Sequence, residues 1–237
     1  MKKAVILILL VLTTNGYSQF AKNMFSKDPI INLENWQKQR LYFGYYLGLN
    51  SFDFKFDYKN PTQNDIQVKK TTGFNVGVVA DLRLQEYINL RFEPGLYYTK
   101  RDLYFPGLST ENDYLREVNS TYIHFPLLVK FSALRTGNIR PYIEGGMSTT
   151  LNLSSNAKSM DDNFQQKFRV KQWTAAYELG IGIDIFTEYF IFSPSVRGMF
   201  GITNELIRDN PANGPSPWTD NIDSMKSRAI LINFTFH

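Results

Sequence analysis

Residues 74–98 read FNVGVVADLRLQEYINLRFEPGLYY, and the period of this stretch decides the fold. Phe74, Val76, Val78, Ala80 and Leu82 lie on one side of an extended chain, with Gly73, Asn75, Gly77, Asp81 and Arg83 on the other. After a short polar break at Gln85 and Glu86 the pattern resumes, with Ile88, Leu90, Phe92, Leu96 and Tyr98 opposing Asn89, Arg91, Glu93, Gly95 and Thr99. Side chains of a strand point alternately to its two faces, so two period-two runs in succession predict antiparallel strands joined by a tight turn.

The same alternation extends outward from this hairpin in both directions. Upstream, Leu41, Phe43, Tyr45, Leu47 and Leu49 alternate with Tyr42, Gly44, Tyr46, Gly48 and Asn50. Downstream, Ile123, Phe125, Leu127, Val129 and Phe131 oppose Tyr122, His124 and Lys130, and a weaker run sets Ile139, Ile143 and Met147 against Arg140, Tyr142, Glu144 and Gly146. Trp173, Ala175, Tyr177, Leu179, Ile181 and Ile183 oppose Glu178, Gly180, Gly182 and Asp184. Phe190, Phe192, Val196 and Phe200 oppose Ser193, Ser195 and Arg197, and Ile230, Ile232, Phe234 and Phe236 oppose Asn233 and Thr235. Eight strands are predicted.

Their connections alternate in length: long at 53–71, 100–121, 154–171 and 203–227, short near 85–86, 135–138 and 187–188. Long and short connections therefore fall at opposite ends. This predicts an all-β protein, an eight-stranded antiparallel up-and-down β-barrel that spans the outer membrane, with short periplasmic turns and long extracellular loops.

A soluble lipocalin-like barrel also alternates, with its apolar face inside. Three features turn the apolar face outward. The polar face mixes Gly44, Gly48, Gly77, Gly95, Gly180 and Gly182 with bulky Arg, Glu and Tyr, as a crowded lumen requires. Aromatics gather toward strand ends, at Tyr42 and Phe43, Tyr97 and Tyr98, Trp173, and Tyr189 and Phe190, where an interfacial girdle sits. The last strand carries Phe234 and Phe236, as the final strands of outer-membrane barrels do, although His237 replaces the usual terminal aromatic. Pro94, Pro126, Pro141 and Pro194 fall inside predicted strands, where bulges or strand ends are expected, with a possible one-residue change of register.

Composition narrows the function classes. The chain has 237 residues, 43% hydrophobic and 15% aromatic, which suits a folded domain. Lys and Arg total 26 against 22 Asp and Glu, a net +4 with no run of like charge, which argues against a nucleic-acid partner. Cysteine is absent and His124 and His237 are the two histidines, so thiol catalysis, disulfides and multi-His metal centres are excluded, and no metal or cofactor is expected. Lys2 and Lys3, the apolar run Ala4 to Leu12, and small residues Gly16 and Ser18 form a cleavable export signal over residues 1–18, cut after Ser18. Residues 19–40 then form a periplasmic segment with a short amphipathic helix near Asn35 to Gln39, and 41–237 form the barrel. No later stretch is long and apolar enough for a membrane helix.

On the inward face Asp81, Glu93, Glu144, Glu178 and Asp184 meet Arg83, Arg91, Lys130, Arg140 and Arg197, five acids against five bases. The interior of an eight-stranded barrel has room only for side chains, so a plug of paired charges is expected. His124 lies beside these acids; a general base oriented by a carboxylate is one reading, and membership of the plug the plainer one. No serine sits in a nucleophile motif, and no catalysis is expected. Gly180 to Gly182 begins a dinucleotide fingerprint without its third glycine or following helix. Asp161 and Asp162 belong to a polar loop, with cation binding as the alternative. Tyr114 and an exposed Trp218, in the long loops, are candidate contacts for a partner.

Taken together, Tyr42–Phe54 (YFGYYLGLNSFDF), residues 74–98, Ser120–Phe131 (STYIHFPLLVKF), Arg140–Gly146 (RPYIEGG), Tyr177–Asp184 (YELGIGID) and Ile222–Arg228 (IDSMKSR) resemble the PorT family of outer-membrane proteins of the type IX secretion and gliding-motility system of Bacteroidetes. STYIHFPLLVKF, RPYIEGG and IDSMKSR, in this order, are the more specific segments. The resemblance implies a non-enzymatic role in exporting cargo or assembling the translocon, with outer-membrane lipid and other type IX components as partners. A structural or adhesive surface barrel, a barrel hydrolase and a soluble ligand carrier are the competing classes.

Overall fold

The computed structural model describes residues 31–36, 39–61, 65–108, 110–210, 212 and 214–237. In it the chain forms ten strands of one antiparallel sheet: β1 (Leu41–Tyr58), β2 (Gln67–Lys70), β3 (Thr72–Arg83), β4 (Ile88–Phe92), β5 (Gly95–Tyr104), β6 (Leu115–Ser132), β7 (Ile139–Asn152), β8 (Trp173–Phe186), β9 (Ile191–Gly201) and β10 (Ile222–Phe236). β1 pairs with β10 on one side and β3 on the other, so the sheet closes on itself. Closure leaves no unpaired edge, the condition for a sheet to stand in hydrocarbon.

The ring has eight staves, because β4 and β5 are two halves of one path interrupted at Glu93 and Pro94. The eight predicted strands are these staves. The tenth strand, β2, is a short flap on β5 in a stretch the sequence reads as loop. The export signal lies outside the described residues, as does most of the segment preceding β1. Within that segment Asn32–Asn35 form a turn, with single-turn hydrogen bonds from Trp36 N to Leu33 O and from Gln39 N to Trp36 O. Of the short helix expected near Asn35 to Gln39, Trp36 lies in a 3-10 turn, and Gln37 and Lys38 lie outside the described residues. The turn is tied to the short-turn end of the barrel: Asn32 N donates to Asn138 Oδ1 at 2.9 Å, and Arg135 Nη2 donates to Asn32 O.

The prolines are absorbed without bulges. Registers on both sides of Pro94, Pro126, Pro141 and Pro194 run on unshifted, so no side chain changes face. Pro94 ends a strand, as expected, while the other three stay inside β6, β7 and β9. Each keeps a carbonyl, and Pro126 O and Pro94 O still accept from Glu93 N and Val78 N. Opposite Pro194 the β8–β9 ladder opens between Gly182 and Ile185, which confines the loss to one place. The one shift in the β1–β10 ladder is at Asp57 and Tyr58.

β1 and β6 each have 18 residues, whereas about 9–11 suffice to cross the hydrocarbon. The surplus lies at the long-loop end, where Phe54–Tyr58, Lys100–Tyr104, Leu115–Thr121 and Ile222–Ser227 are strand and not loop. There the outward face turns polar: Ser51, Asp53, Lys55 and Asp57 follow Leu49 in β1, and Arg228 and Lys226 follow Ile230 in β10. The wall therefore rises beyond its apolar band. Within the band the outward residues are the exposed ones, with Phe43 at 67% and Ile181 at 65%, while inward Tyr46 and Arg91 are at 0%. This reverses the burial of a soluble barrel.

Aromatic pairs mark both rims, Phe74 with Tyr98 and Tyr177 with Phe200 at one, Phe192 and Tyr45 with Phe236 at the other. Tyr42 and Tyr97, counted with the girdle from sequence, instead point inward and are buried, each one residue out of phase with an outward neighbour. The glycines make the room for such rings. A Cβ on Gly95 or Gly77 would strike the Tyr46 phenol, and one on Gly182 the Tyr142 ring.

Candidate functional site

Inward alternation on six staves brings all the predicted charges but Arg83 into the lumen. Arg91 on β4 donates through Nε to Asp81 Oδ2 on the neighbouring β3 at 3.0 Å, and its Nη1 lies 3.3 Å from both Glu93 Oε1 and Glu144 Oε2. Arg197 on β9 reaches the same two carboxylates, Nη2 to Glu93 Oε2 at 2.5 Å and Nε to Glu144 Oε1 at 3.3 Å, and adds Glu178 Oε2 at 3.0 Å. β4 and β9 are four staves apart in the ring of eight, so the two guanidinium groups meet across the full diameter of the barrel.

Toward the short-turn end Lys130 Nζ lies 2.7 Å from Asp184 Oδ1 and sits over the Tyr142 ring, and Arg140 donates to Asp184 Oδ2 at 2.9 Å. Arg83 is half-exposed at that rim, where its N–H donates to Arg40 O. Arg91, Arg197 and Lys130 are at most 1% exposed, and so are Asp81, Glu93, Glu178 and Asp184. Burying ions is costly in a low-dielectric interior unless they are matched and hydrogen-bonded, and the expected five bases are reduced here to four, Arg91, Arg197, Lys130 and Arg140, which the five acids share because Arg83 stays at the rim.

His124 joins this layer. Its Nε2 lies 2.7 Å from Glu178 Oε1 and its Nδ1 2.9 Å from Thr150 Oγ1, with Tyr97 packed edge-on at 4.8 Å. An ionised Glu178 only accepts, which places a proton on Nε2. Hydroxyl, imidazole and carboxylate are thus aligned as in a nucleophile–base–orienter triad. The alignment has no substrate space: Thr150 is 5% exposed, His124 1% and Glu178 0%, and Glu178 is simultaneously held by Arg197. The arrangement cross-links β6, β7 and β8.

Sequence reasoning missed a second layer above the first. Arg101 on β5 is fully buried, stacks on Phe54 at 3.8 Å, and donates to Ser227 Oγ, Ser120 Oγ and Tyr122 Oη. Glu205, in the β9–β10 loop, accepts from Ser227 N and Oγ, each at 2.9 Å. Carrying the parity of residues 89–99 two positions further would have placed Arg101 inward.

The loop candidates are also relocated. Trp218 is 7% exposed, a correction of its expected exposure: its ring packs edge-on against Phe164 at 5.2 Å and under Arg116, and Nε1 donates to Asp113 O at 2.8 Å. Tyr114, in the one-turn helix Glu111–Tyr114, is half-buried and stacks on Tyr104. The loops fold into a cap over the barrel end because Phe105, Phe168, Val170, Leu206 and Trp218 share an apolar cluster. Asp209 ties this cap, accepting from Asn163 Nδ2, Ser216 Oγ and Thr219 Oγ1. Asp162 caps the turn Asn163–Gln165 and also accepts from Asn210 N, and Asp161 pairs with Lys167, so both carboxylates have protein partners in place of a cation. Among the described residues no group of three or more His, Asp or Glu is placed to hold a metal.

The family profile described as outer membrane protein beta-barrel domain matches residues 20–206. Among solved structures, OprG from Pseudomonas aeruginosa is similar at 14% identity and TM-score 0.46, covering 83% of this chain and 95% of its own. Neisserial surface protein A is similar at 10% identity and TM-score 0.45, covering 83% and 98%. Ail, the attachment invasion locus protein of Yersinia pestis, is similar at 10% identity and TM-score 0.38, covering 84% and 98%. No curated protein sequence matches the chain.

Proposed function

Because the chain belongs to the outer-membrane β-barrel family, we propose that it acts there as a closed barrel supporting type IX protein export, as an accessory or assembly factor and not as the conduit. On this reading residues 1–18 direct export, the short turns and the segment before β1 face the periplasm, and the capped loops face outward. The observation that carries it is the Arg91–Arg197 clamp: two guanidinium groups from opposite walls share Glu93 and Glu144 in the middle of the lumen. Passage of a folded cargo needs a far wider barrel than eight staves enclose. The segments that resemble the PorT family also supply the plug, STYIHFPLLVKF with His124 and Lys130 and RPYIEGG with Arg140 and Glu144.

The test is a clean deletion in the native host, with type IX cargo assayed in medium and periplasm against a complemented strain. Loss of cargo from the medium with accumulation in the periplasm is the expected result. Unchanged secretion, with the protein still in the outer-membrane fraction, overturns the export role and leaves a structural or adhesive barrel.

A further inference from the structure

On the outer wall, Tyr177 and Phe200 stack at 5.1 Å, and Arg228 is the direct cross-strand partner of Phe200. On β10 and β1 this is the row where the apolar band ends, while Ile202 and Trp173 carry it slightly higher beside β9 and β8. Immediately above it a groove of about 440 Å³ opens on the outside of β8, β9, β10 and β1, lined by those two aromatics together with Lys55, Lys226 and Arg228. Lys55 and Lys226 are themselves direct cross-strand partners on the outward face. Like charges directly opposite in a ladder repel, so the pairing is unfavourable unless an anion lies between them.

The neighbouring carboxylates leave the surplus in place. Asp53 is held by Arg228 at 2.7 Å and Lys70 at 3.0 Å, and Asp57 lies 3.4 Å from Lys55 and accepts from Ser224 Oγ. Four cations thus face two carboxylates, and Lys226 forms no ion pair among the described residues. We infer that this groove binds the phosphate-bearing headgroup of an outer-leaflet lipid, its acyl chains lying along the apolar band below. The level selects the ligand: an anion fixed to a lipid headgroup stands where the aromatic row meets the lysines, whereas a free anion has no reason to prefer the membrane boundary.

The inference rests on the membrane orientation proposed above, and its test separates the two. The full-length protein, purified in a neutral detergent and in phosphatidylcholine vesicles, is titrated with lipid A carrying its phosphates, with the same lipid A dephosphorylated, and with inorganic phosphate, bound lipid being read by native mass spectrometry. Phosphorylated lipid A is expected to bind, and K55Q/K226Q to weaken it roughly 10- to 30-fold while the melting temperature of the lipid-free protein holds or rises. Should the double variant not fold, K226Q alone carries the comparison. Equal binding of the dephosphorylated lipid, unchanged binding by the variants, or equally strong competition by inorganic phosphate overturns the site while the barrel stands. Failure of the native protein to insert into vesicles overturns both the site and the orientation.

Discussion

Arg91 and Arg197, on opposite walls of the barrel, are bridged by the same two carboxylates, Glu93 and Glu144. The bridge joins strands that share no backbone hydrogen bonds, so it braces the ring across its diameter while closing the lumen. Removing one member leaves several buried charges unmatched.

Substituting Arg197→Ala removes one cation from Glu93, Glu144 and Glu178 at once, leaving Arg91 alone to serve the first two. A loss of about 3–5 kcal/mol is expected from breaking a buried ion pair on one side. Urea unfolding in detergent micelles measures it, and a wild-type midpoint for R197A would refute the bracing role. In planar bilayers the native protein is expected to pass no steady ion current.

The Gly95 position tests the packing of the lumen. G95A drives a methyl into the Tyr46 hydroxyl, for an overpacking cost of about 1–3 kcal/mol. Y46A/G95A should be less destabilised than the two single changes combined, because Y46A takes the phenol out of the path of the new methyl and leaves the Val76 carbonyl oxygen, 2.8 Å from the Cβ position, as the remaining obstacle. Strict additivity in a double-mutant cycle would contradict the clash.

Trp218 holds the cap and not the barrel wall. W218A is expected to expose the loop between β9 and β10 to protease on intact cells while the barrel keeps its heat-modifiable migration on gels. Cap interactions lost with the ring include the Asp113 carbonyl and the Phe164 and Arg116 contacts. Equal protease resistance of W218A and the native protein would count against it.

The same cap should respond to pH through Glu205. Burial pushes this carboxyl above the usual glutamate range, against the opposing pull of Arg101. A group whose folded pKa is raised contributes stability that is complete below the unfolded value, about 4.3, and is lost as pH rises through the folded one. Proteolysis of the β9–β10 loop should therefore quicken as pH rises from the unfolded value, about 4.3, through the raised folded one. In E205Q that dependence should vanish; its persistence would assign the effect to other groups.

Face assignment was legible in sequence because period two is a local property: Phe43 and Tyr45 had to share a side whatever the strand pairs with. The same logic placed Asp81, Arg91, Glu93, Glu144, Glu178 and Arg197 inward, and near-neutrality followed from the cost of burying them. Strand ends were less legible, because hydropathy sees only the apolar band. Once Leu49 gives way to Ser51, Asp53 and Lys55, a water-exposed strand and a loop have the same composition, and only cross-strand pairing with Arg228 and Lys226 tells them apart.

The sequence by itself determined an outward apolar band, an inward mixture of glycine, aromatic and charged residues, and connections of two lengths at two ends. Partnership was decided by the tertiary structure alone. That Arg91 meets Arg197 across the diameter depends on ring closure between β1 and β10, that Trp218 is buried depends on loops converging from several staves, and that Lys55 faces Lys226 depends on register. Each joins residues 105 or more positions apart. Local alternation sets which way a side chain points; only closure of the sheet sets what it meets.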